Sequence, residues 1–380
     1  MDFGLGQRQR DIADRVDQVC RTHCSAAQES RRDASSEFPD ELYRALGSAG
    51  VLGCTLPAEY GGHDGGYLDR CVIAETLGRF STTAVSMYFV ANICATMIAE
   101  AGTAAQRTRL LPALAGGELR LAFALTEPDA GSDAGAISTR AVPEGDHVVL
   151  DGTKLFTTGA ANADYILTVA RTSPDQKASR GSSIFLVPAG SPGLHIDPLP
   201  KIASISHATC QVRYESVRLR RDALLGQWDR AWPLLIHGSA VERLCIAAWL
   251  SGMAHTVMDE LIHFTRDRVQ FGQPVSRFQA VQHQIADLAT HAQAMRWLTY
   301  HAAWQADQQP PAALAISMAK AFNTETTHRI VTTAMRLTGG RAFFTDSALP
   351  RLLRESTFAF YAGGTLELQR NVIARELGLQ

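Results

Sequence analysis

Apolar positions recur every three to four residues over much of the chain, which is the period of an amphipathic helix. Pro39 and Gly47 mark the start and end of the first such segment, in the order that helices favour. Ala, Leu, Met and Arg, which are good helix formers, fill the later segments. The pattern predicts helices over residues 38–49, 67–80, 84–101, 104–115, 229–266, 279–306, 312–338 and 366–377.

Between these two helical zones the apolar runs become short and are bounded by Gly, Pro, Asp or Ser, as strands are. The sequence therefore predicts a mainly α protein with a central β domain. Its parts are an N-terminal helical domain at 1–120, a small antiparallel β domain at 121–225 and a C-terminal helical bundle at 226–380. The predicted strands are Leu121–Thr126, His147–Leu150, Tyr165–Ala170, Ser183–Val187 and Thr209–Tyr214.

Composition excludes several classes of protein. The formal net charge is −2, which gives no electrostatic reason to expect nucleic acid or an anionic membrane as a partner. No apolar run approaches the ~20 residues of a membrane-spanning helix, and the N-terminus does not read as a secretory signal. The 7 cysteines are scattered without a C-x-x-C pair, so we expect no disulfide framework, no metal site and a reducing cytoplasm.

Four segments carry candidate chemistry, and each also has a plain structural explanation. Residues 126–133 read T-E-P-D-A-G-S-D, a turn whose amides and hydroxyls suit an anion or a carbonyl-rich ring, or a simple surface turn. Residues 151–159 read D-G-T-K-L-F-T-T-G, where Phe156 and Thr158 lie two apart and so on one strand face. Residues 268–274 read R-V-Q-F-G-Q-P, where an Arg could clamp a pyrophosphate or cap a helix. Residues 361–370 read Y-A-G-G-T-L-E-L-Q-R, a Gly-Gly turn into a last helix.

Taken together, in this order and spacing, these segments resemble the acyl-CoA dehydrogenase family over essentially the whole chain. The family carries T-E-P-x-A-G-S-D, G-x-K-x-W-I-T, R-x-x-F-G-x-P, and a C-terminal E-G-T followed by I-A-R-E. The first and third motifs are nearly intact here, and residues 373–376 read I-A-R-E. The resemblance implies the fold of that family, with a C-terminal four-helix bundle, and FAD bound in a homotetramer.

The resemblance also assigns roles residue by residue. Thr158 would bond the flavin edge, Phe156 stands where the family usually has Trp, and Arg336 stands where it often has Gln. Arg268, Phe271 and Gln279 would reach the FAD of a neighbouring subunit. The implied cofactor-binding residues are Phe123, Leu125, Thr126, Gly131, Ser132, Phe156, Thr158, Arg268, Phe271, Gln279, Arg336, Gly339, Gly340, Thr365 and Glu367.

The implied reaction oxidises the Cα–Cβ bond of an acyl thioester. A carboxylate removes the α-proton, and hydride passes to flavin N5. The thioester carbonyl accepts a hydrogen bond from a backbone N–H, here that of Gly363. Most members place the carboxylate where this chain has Gly363. The isovaleryl and long-chain members place it instead on a bundle helix, in a Glu-Arg-Leu context, which matches Glu242, Arg243 and Leu244. Glu242 is therefore our candidate base, and a helix-surface Glu paired with an Arg is the plain alternative.

The substrate follows less directly. Phe89, Ile93, Thr96 and Met97 are candidate pocket residues, with Ser132 and Arg243 as further substrate contacts. Their bulk favours a short, branched or cyclic acyl group. Relatives that oxidise prolyl groups on a carrier protein in antibiotic pathways also lack the C-terminal Glu, which favours an aminoacyl group on a peptidyl carrier protein over a branched acyl-CoA. His207 lies in a loop and is more often structural than catalytic. The expected electron acceptor is an electron-transfer flavoprotein or oxygen.

Two other classes of function stay open. One is a family member that binds flavin but carries out oxygenation or a redox-neutral cyclisation. The other is a helical scaffold that has lost its base, since Gly363 has no side chain. A yellow, FAD-loaded protein would argue against the scaffold.

Overall fold

The computed structural model describes residues 4–379. Residues 1–3, which belong to the N-terminal segment used above in the argument about a secretory signal, lie outside the described residues. Within residues 4–379 the structure contains eleven α-helices and ten β-strands. The helices are α1 Gln7–His23, α2 Ala26–Ala34, α3 Asp40–Ser48, α4 Tyr67–Gly78, α5 Thr82–Ala101, α6 Ala104–Ala115, α7 Ala231–Asp267, α8 Gln279–Gln308, α9 Ala313–Thr338, α10 Leu349–Ser356 and α11 Leu366–Glu376. The strands are β1 Leu121–Ala124, β2 Arg140–Glu144, β3 His147–Thr158, β4 Tyr165–Arg171, β5 Ser182–Pro188, β6 Leu194–Pro198, β7 Thr209–Arg220, β8 Leu224–Leu225, β9 Val269–Gln270 and β10 Gln273–Pro274.

The chain forms two compact units, and helices α5 and α7 contribute to both. The first unit comprises the segment up to Asp33, the segment Gly66–Val85 and the chain from Arg243 onward. The second comprises Ala34–Gly65 and Ser86–Glu242. The division at residues 120 and 225 stays a prediction.

The second unit contains one sheet, with strand order β6-β7-β3-β2-β4-β5-β8 and β1 paired with β4. Most pairs are antiparallel, as predicted, but β1 runs parallel to β4, so the description of the sheet as antiparallel was incomplete. Side chains that alternate along the strands form its core. Leu150, Ile166, Phe185, Val212 and Tyr214 are among the buried residues of that core.

The first unit is helical, and its helices approach closely where side chains are small. A Cβ at Gly252 would lie 2.0 Å from the Glu75 carbonyl oxygen, so α7 crosses α4 backbone against backbone. Buried Asn323 of α9 donates to the Ala247 carbonyl of α7 and the Thr299 hydroxyl of α8, both at 2.8 Å. These contacts fix three helices of the bundle against one another. The predicted combination of a helical majority with a central sheet is confirmed.

Two helices contain longer apolar stretches than the sequence analysis expected. By length and composition, α5 and α7 could each cross a membrane, which corrects the expectation that no such run exists. However, 94% of the most apolar 18-residue stretch of α5 is buried within the protein, and 72% of the corresponding stretch of α7 is buried. Burial inside the fold explains an all-round apolar helix without a bilayer.

All 7 cysteines are free thiols, and all are buried. Burial raises the pKa of the Cys94 thiol above its ordinary value. These cysteines therefore behave as small core residues.

Candidate active site

Strand β1 carries the first residues predicted to line the flavin. Ala122 and Ala124 are buried, and they alternate with half-buried Phe123 and Leu125. This is the period of two expected for a strand with one face in the core. The face opposite the core is therefore formed by Phe123 and Leu125, and the half-buried Thr126 follows in the turn.

The turn after β1 holds the next two predicted residues. The Thr126 carbonyl accepts a hydrogen bond from the Leu155 amide at 2.8 Å, which joins the turn to β3. Gly131 and Ser132 are exposed, and a Cβ at Gly131 would meet no atom within 4 Å. The structure thus brings these five predicted residues together on one strand and turn, with open space over the glycine.

A buried ion pair beneath this turn was not identified from the sequence. Lys154 of β3 is 0% exposed and Glu127 is 4% exposed. The Lys154 ammonium donates to Glu127 Oε1 at 2.7 Å and to the Leu125 carbonyl at 2.9 Å. The same carboxylate accepts from the amides of Ser138 and Thr139 at 2.6 and 2.9 Å.

The ionisation of this pair follows from its surroundings. Burial alone would raise the pKa of Glu127, but the charge and hydrogen bond of Lys154 and the bonds from Thr139 and Ser138 lower it to about 2. Burial lowers the pKa of Lys154 to about 8, although the Glu127 charge opposes that shift. Both groups are therefore charged near neutral pH, and a buried charge without its partner would be costly.

Phe156 and Thr158 lie near the end of β3, where the strand is irregular. A β-bulge falls between Lys154 and Thr157 in the pairing with β7, so the simple alternation that predicted one shared face is interrupted. Phe156 has a φ of +60° and is 62% exposed. Half-buried Thr158 is 3.1 Å from the Thr209 hydroxyl. A bulky residue held in left-handed backbone is a strained feature, and such features concentrate at functional sites.

The segment between α7 and α8 forms a small hairpin of β9 and β10 that carries Phe271 at its tip. Phe271 has a φ of +52° and is 93% exposed, and its ring centroid lies 6.2 Å from that of Phe278. Arg268 and Gln279 are also exposed, just before and just after this hairpin. The three residues predicted to reach a neighbouring FAD are therefore all exposed, on this hairpin or in the segments that flank it.

Arg336, Gly339 and Gly340 lie at the C-terminal end of α9. Arg336 Nη2 donates to Gln284 Oε1 of α8 at 2.8 Å, and its side chain is exposed. Gly339 has a φ of +70°, and a Cβ at either glycine would meet no atom within 4 Å. The end of α9 leaves the space for a close approach that the resemblance assigns to these glycines.

Polar side chains donate hydrogen bonds to the backbone carbonyls of the turn before α11. Arg243 Nε donates to the Gly363 carbonyl at 3.0 Å, and Gln369 Nε2 donates to the same oxygen at 3.1 Å. Lys320 Nζ donates to the Gly364 carbonyl at 2.8 Å. Arg243, predicted as a substrate contact, thus bonds the protein's own turn through this N–H.

Thr365 and Glu367 begin α11. The Thr365 hydroxyl accepts from the Leu368 amide at 3.3 Å, as the N-cap residue of a helix does. Glu367 is exposed, and bonds from its own backbone N–H and from the Thr365 hydroxyl lower the pKa of its carboxyl. Both predicted contacts are therefore engaged in forming the helix start.

Glu242 lies about one third of the way along α7 and is half-buried, and Val241 beside it is fully buried. One turn earlier, a Cβ at Gly238 would lie 2.3 Å from Met97 Cε and 3.5 Å from Ile93 Cγ2 of α5. Helix α5 thus packs closely against α7 one turn before Glu242, and Phe89 and Ile93 are buried. The second unit brings the predicted acyl-pocket helix and the candidate base onto neighbouring helices.

His207 is structural in this fold. Its ring is buried, its Nδ1 lies 2.8 Å from the Ser86 hydroxyl, and the Phe38 ring packs against it at 5.9 Å. Burial, with the nearby Lys201 charge, lowers the pKa of His207 to about 3. A ring that stays neutral and enclosed packs the loop and has no room for a substrate.

The residues present fit the FAD that the resemblance implies. Each unit exposes one predicted flavin contact that is aromatic and has positive φ, Phe156 in one and Phe271 in the other. Open glycines accompany both, Gly131 beside the β1 turn and Gly339 at the end of α9. Exposed aromatic faces with room beside them suit a planar ring and a pyrophosphate.

Comparison with known proteins gives a consistent result. Family models described as the N-terminal, middle and C-terminal domains of acyl-CoA dehydrogenase match residues 6–118, 122–217 and 230–378.

Individual relatives cover the whole chain. The chain is 33% identical over 385 residues to an L-prolyl-[peptidyl-carrier protein] dehydrogenase of Pseudomonas fluorescens, covering 100% of both. It is 31% identical over 378 residues to the mitochondrial isovaleryl-CoA dehydrogenase of Pongo abelii, covering 98% of this chain and 89% of that protein. A solved structure described as PigA with FAD and proline superposes with a TM-score of 0.94 at 26% identity, covering 100% of both chains.

Proposed function

Because the chain belongs to the acyl-CoA dehydrogenase family and is an FAD-dependent acyl-thioester dehydrogenase, we propose that its substrate is a short cyclic aminoacyl group on a peptidyl carrier protein. A prolyl group is the leading candidate. Bound FAD supplies the acceptor for the two electrons that leave the Cα–Cβ bond. The protein contributes the base, the donors to the carbonyl and the shape of the pocket.

Two similarities support the prolyl group. The carrier-protein relative matches this chain end to end. The solved structure whose description names proline also matches end to end. A short branched acyl-CoA is the second candidate, because the isovaleryl relative is of similar identity.

The base in this proposal is Glu242. The observation that carries the proposal is at the C-terminal turn, where Gly363 has no side chain and its carbonyl is held by Arg243. Arg243 follows Glu242 directly on α7. A half-buried carboxylate on a rigid helix is well placed to keep one geometry while it accepts the α-proton.

The remaining residues orient the thioester. The Gly363 N–H donates to the thioester carbonyl, where negative charge develops as the α-proton leaves. In this proposal Phe89 and Ile93, which are buried, line the acyl pocket and limit the acyl group to a small one. We further propose an electron-transfer flavoprotein or oxygen as acceptor, a homotetramer with shared FAD, a role in antibiotic biosynthesis and a cytoplasmic location.

The function is tested by anaerobic bleaching of the bound flavin with a panel of thioesters. The panel contains prolyl-loaded carrier protein, isovaleryl-CoA, isobutyryl-CoA and a straight-chain acyl-CoA. We expect the carrier-bound prolyl group to bleach the flavin fastest. Faster bleaching by a branched acyl-CoA would replace the proposed substrate with the second candidate. A hydroxylated product, or no bleaching by any member, would favour the oxygenating or redox-neutral function.

The base is tested with Glu242→Gln and the best panel member. The amide keeps the size of the side chain but cannot accept the proton, so bleaching should slow by at least about 100-fold. Glu260→Gln, on an exposed position of the same helix, is the matched control and should bleach normally. A normal rate in Glu242→Gln with full FAD content would show that another group is the base.

A further inference from the structure

Five hydrogen bonds from three side chains converge on the carbonyls around the C-terminal turn. Lys320 Nζ donates to the carbonyls of Ala359 and Gly364 at 2.7 and 2.8 Å. Gln369 Nε2 donates to those of Gly363 and Gly364, both at 3.1 Å. Arg243 Nε donates to that of Gly363 at 3.0 Å. We name Arg243, Lys320 and Gln369 the carbonyl clamp.

The carbonyl clamp is a buried, positively charged device. Lys320 and Gln369 are each 0% exposed, and Arg243 is half-buried. Taking an ammonium group out of water is costly, so a lysine at this position needs strong acceptors. Here two backbone oxygens are among its acceptors, and the clamp joins α7, α9 and α11 at a single turn.

The amides of the turn are left available. Within residues 4–379, the N–H groups of Gly363 and Gly364 donate to no acceptor of the protein. In a trans peptide the carbonyl and the next N–H point in opposite directions. Holding the Gly363 oxygen on the clamp therefore turns the Gly364 N–H away from it.

The Gly363 N–H is fixed by anchors on both of its sides. The Ala362 amide before it donates to the Phe358 carbonyl at 3.1 Å, and the Gly363 carbonyl after it is clamped. Gly363 and Gly364 have φ values of +63° and +84°, a conformation that favours glycine. The turn thus presents two consecutive donors from a rigid backbone.

We propose that Arg243, Lys320 and Gln369 are positioning residues for substrate binding, which hold the turn and polarise the Gly364 amide so that its donors bind the thioester carbonyl. This inference rests on the proposed function, since it needs a thioester at the turn. The clamped Gly363 oxygen and the Gly364 N–H belong to one peptide, so positive charge at that oxygen draws electron density toward it and strengthens the Gly364 N–H as a donor. Preorganised donors of this kind lower the cost of charge that develops on the carbonyl.

The test measures binding without turnover. Acetyl pantetheine and its dithioester analogue, dithioacetyl pantetheine, carry the arm that CoA and a carrier protein share and differ only in the acceptor atom. Neither can be dehydrogenated, because the acetyl group lacks Cβ. Calorimetry with the FAD-loaded protein should show that the wild type prefers the probe with the oxygen acceptor by roughly tenfold, as for one good hydrogen bond. Lys320→Met should abolish most of that preference.

Asn323→Ala is the matched control, because Asn323 is one turn further along α9, equally buried and hydrogen-bonded, but does not touch the clamp. Asn323→Ala should keep the preference for the probe with the oxygen acceptor. Gln369→Leu should lose that preference, so this variant replaces Lys320→Met in the test if Lys320→Met does not fold.

Equal binding of the two probes by the wild type, or no binding of either, overturns the inference. An unchanged preference in both Lys320→Met and Gln369→Leu overturns it as well. The two proposals can fail separately. If the wild type keeps its preference but no member of the thioester panel bleaches the flavin, the proposed dehydrogenation is wrong and the inference about the carbonyl clamp is retained.

Discussion

His207 illustrates how a single enclosed side chain can govern the stability of this protein. Its ring bonds the Ser86 hydroxyl and packs on Phe38. Lys201 donates to the His207 carbonyl at 2.6 Å and is itself partly buried, which lowers the pKa of Lys201 to about 8. The imidazole therefore has both a low-polarity environment and a nearby positive charge that oppose its protonation.

We expect this histidine to destabilise the fold in acid. Its pKa is about 3 in the folded protein and 6.5 when unconstrained, so between these values only the unfolded chain takes up the proton. The free energy of unfolding should then fall with decreasing pH, by up to about 1.4 kcal/mol per pH unit. Urea unfolding between about pH 4 and pH 7 would measure this, with His207→Gln expected to be less steep.

The control for that measurement is His263→Gln, whose ring is exposed at the surface. It should leave the slope unchanged. Equal slopes for the wild type and His207→Gln would mean that the buried ring is not the group that takes up the proton.

Single residues also show where sequence reasoning succeeds and where it ends. The motif around Thr126 could be read directly, because its residues are adjacent in the chain. The Glu127–Lys154 pair and the carbonyl clamp could not, because their partners come from different elements. Hydrogen bonds to backbone carbonyls leave no trace in residue type, so Lys320 looked like any helix lysine.

At the scale of elements, the helix crossing at Gly252 is the most sensitive contact of the first unit. We expect Gly252→Ala to be destabilising by about 1–3 kcal/mol, because its Cβ would overlap the backbone of Glu75. Thermal unfolding should show a lower midpoint temperature. Gly116→Ala is the control, since its Cβ would have no neighbour closer than 3.5 Å. An unchanged midpoint in Gly252→Ala would mean that the two helices separate easily.

Most long helices were predictable from periodicity, although the 17-residue helix α1 was not among the predicted segments. Segments 279–306 and 312–338 correspond closely to α8 and α9. Strands β2 and β6 were missed because each has only five residues, many of them exposed. The parallel pairing of β1 with β4 was missed because pairing direction depends on chain topology, which a local pattern does not encode.

At the scale of the whole molecule, the Phe271 ring is 93% exposed and is therefore accessible to a partner outside its own chain. We expect Phe271→Ala to leave folding intact but to lower FAD retention, if this ring covers the cofactor of a second copy. The flavin-to-protein ratio after gel filtration, with the mass from light scattering, measures both effects. Val142→Ala, half exposed on β2, is the control. Full FAD retention in Phe271→Ala would remove Phe271 from the shared site.

The burial of Lys154 and Lys320 has a practical consequence for handling the protein. The sequence contains lysines only at positions 154, 177, 201 and 320. Two of these are fully enclosed, and Lys201 is partly buried and donates to the His207 carbonyl. Lys177 alone among these side-chain amines is exposed. Among the lysine side chains, amine-directed dyes and cross-linkers should therefore react preferentially at Lys177, in one known loop.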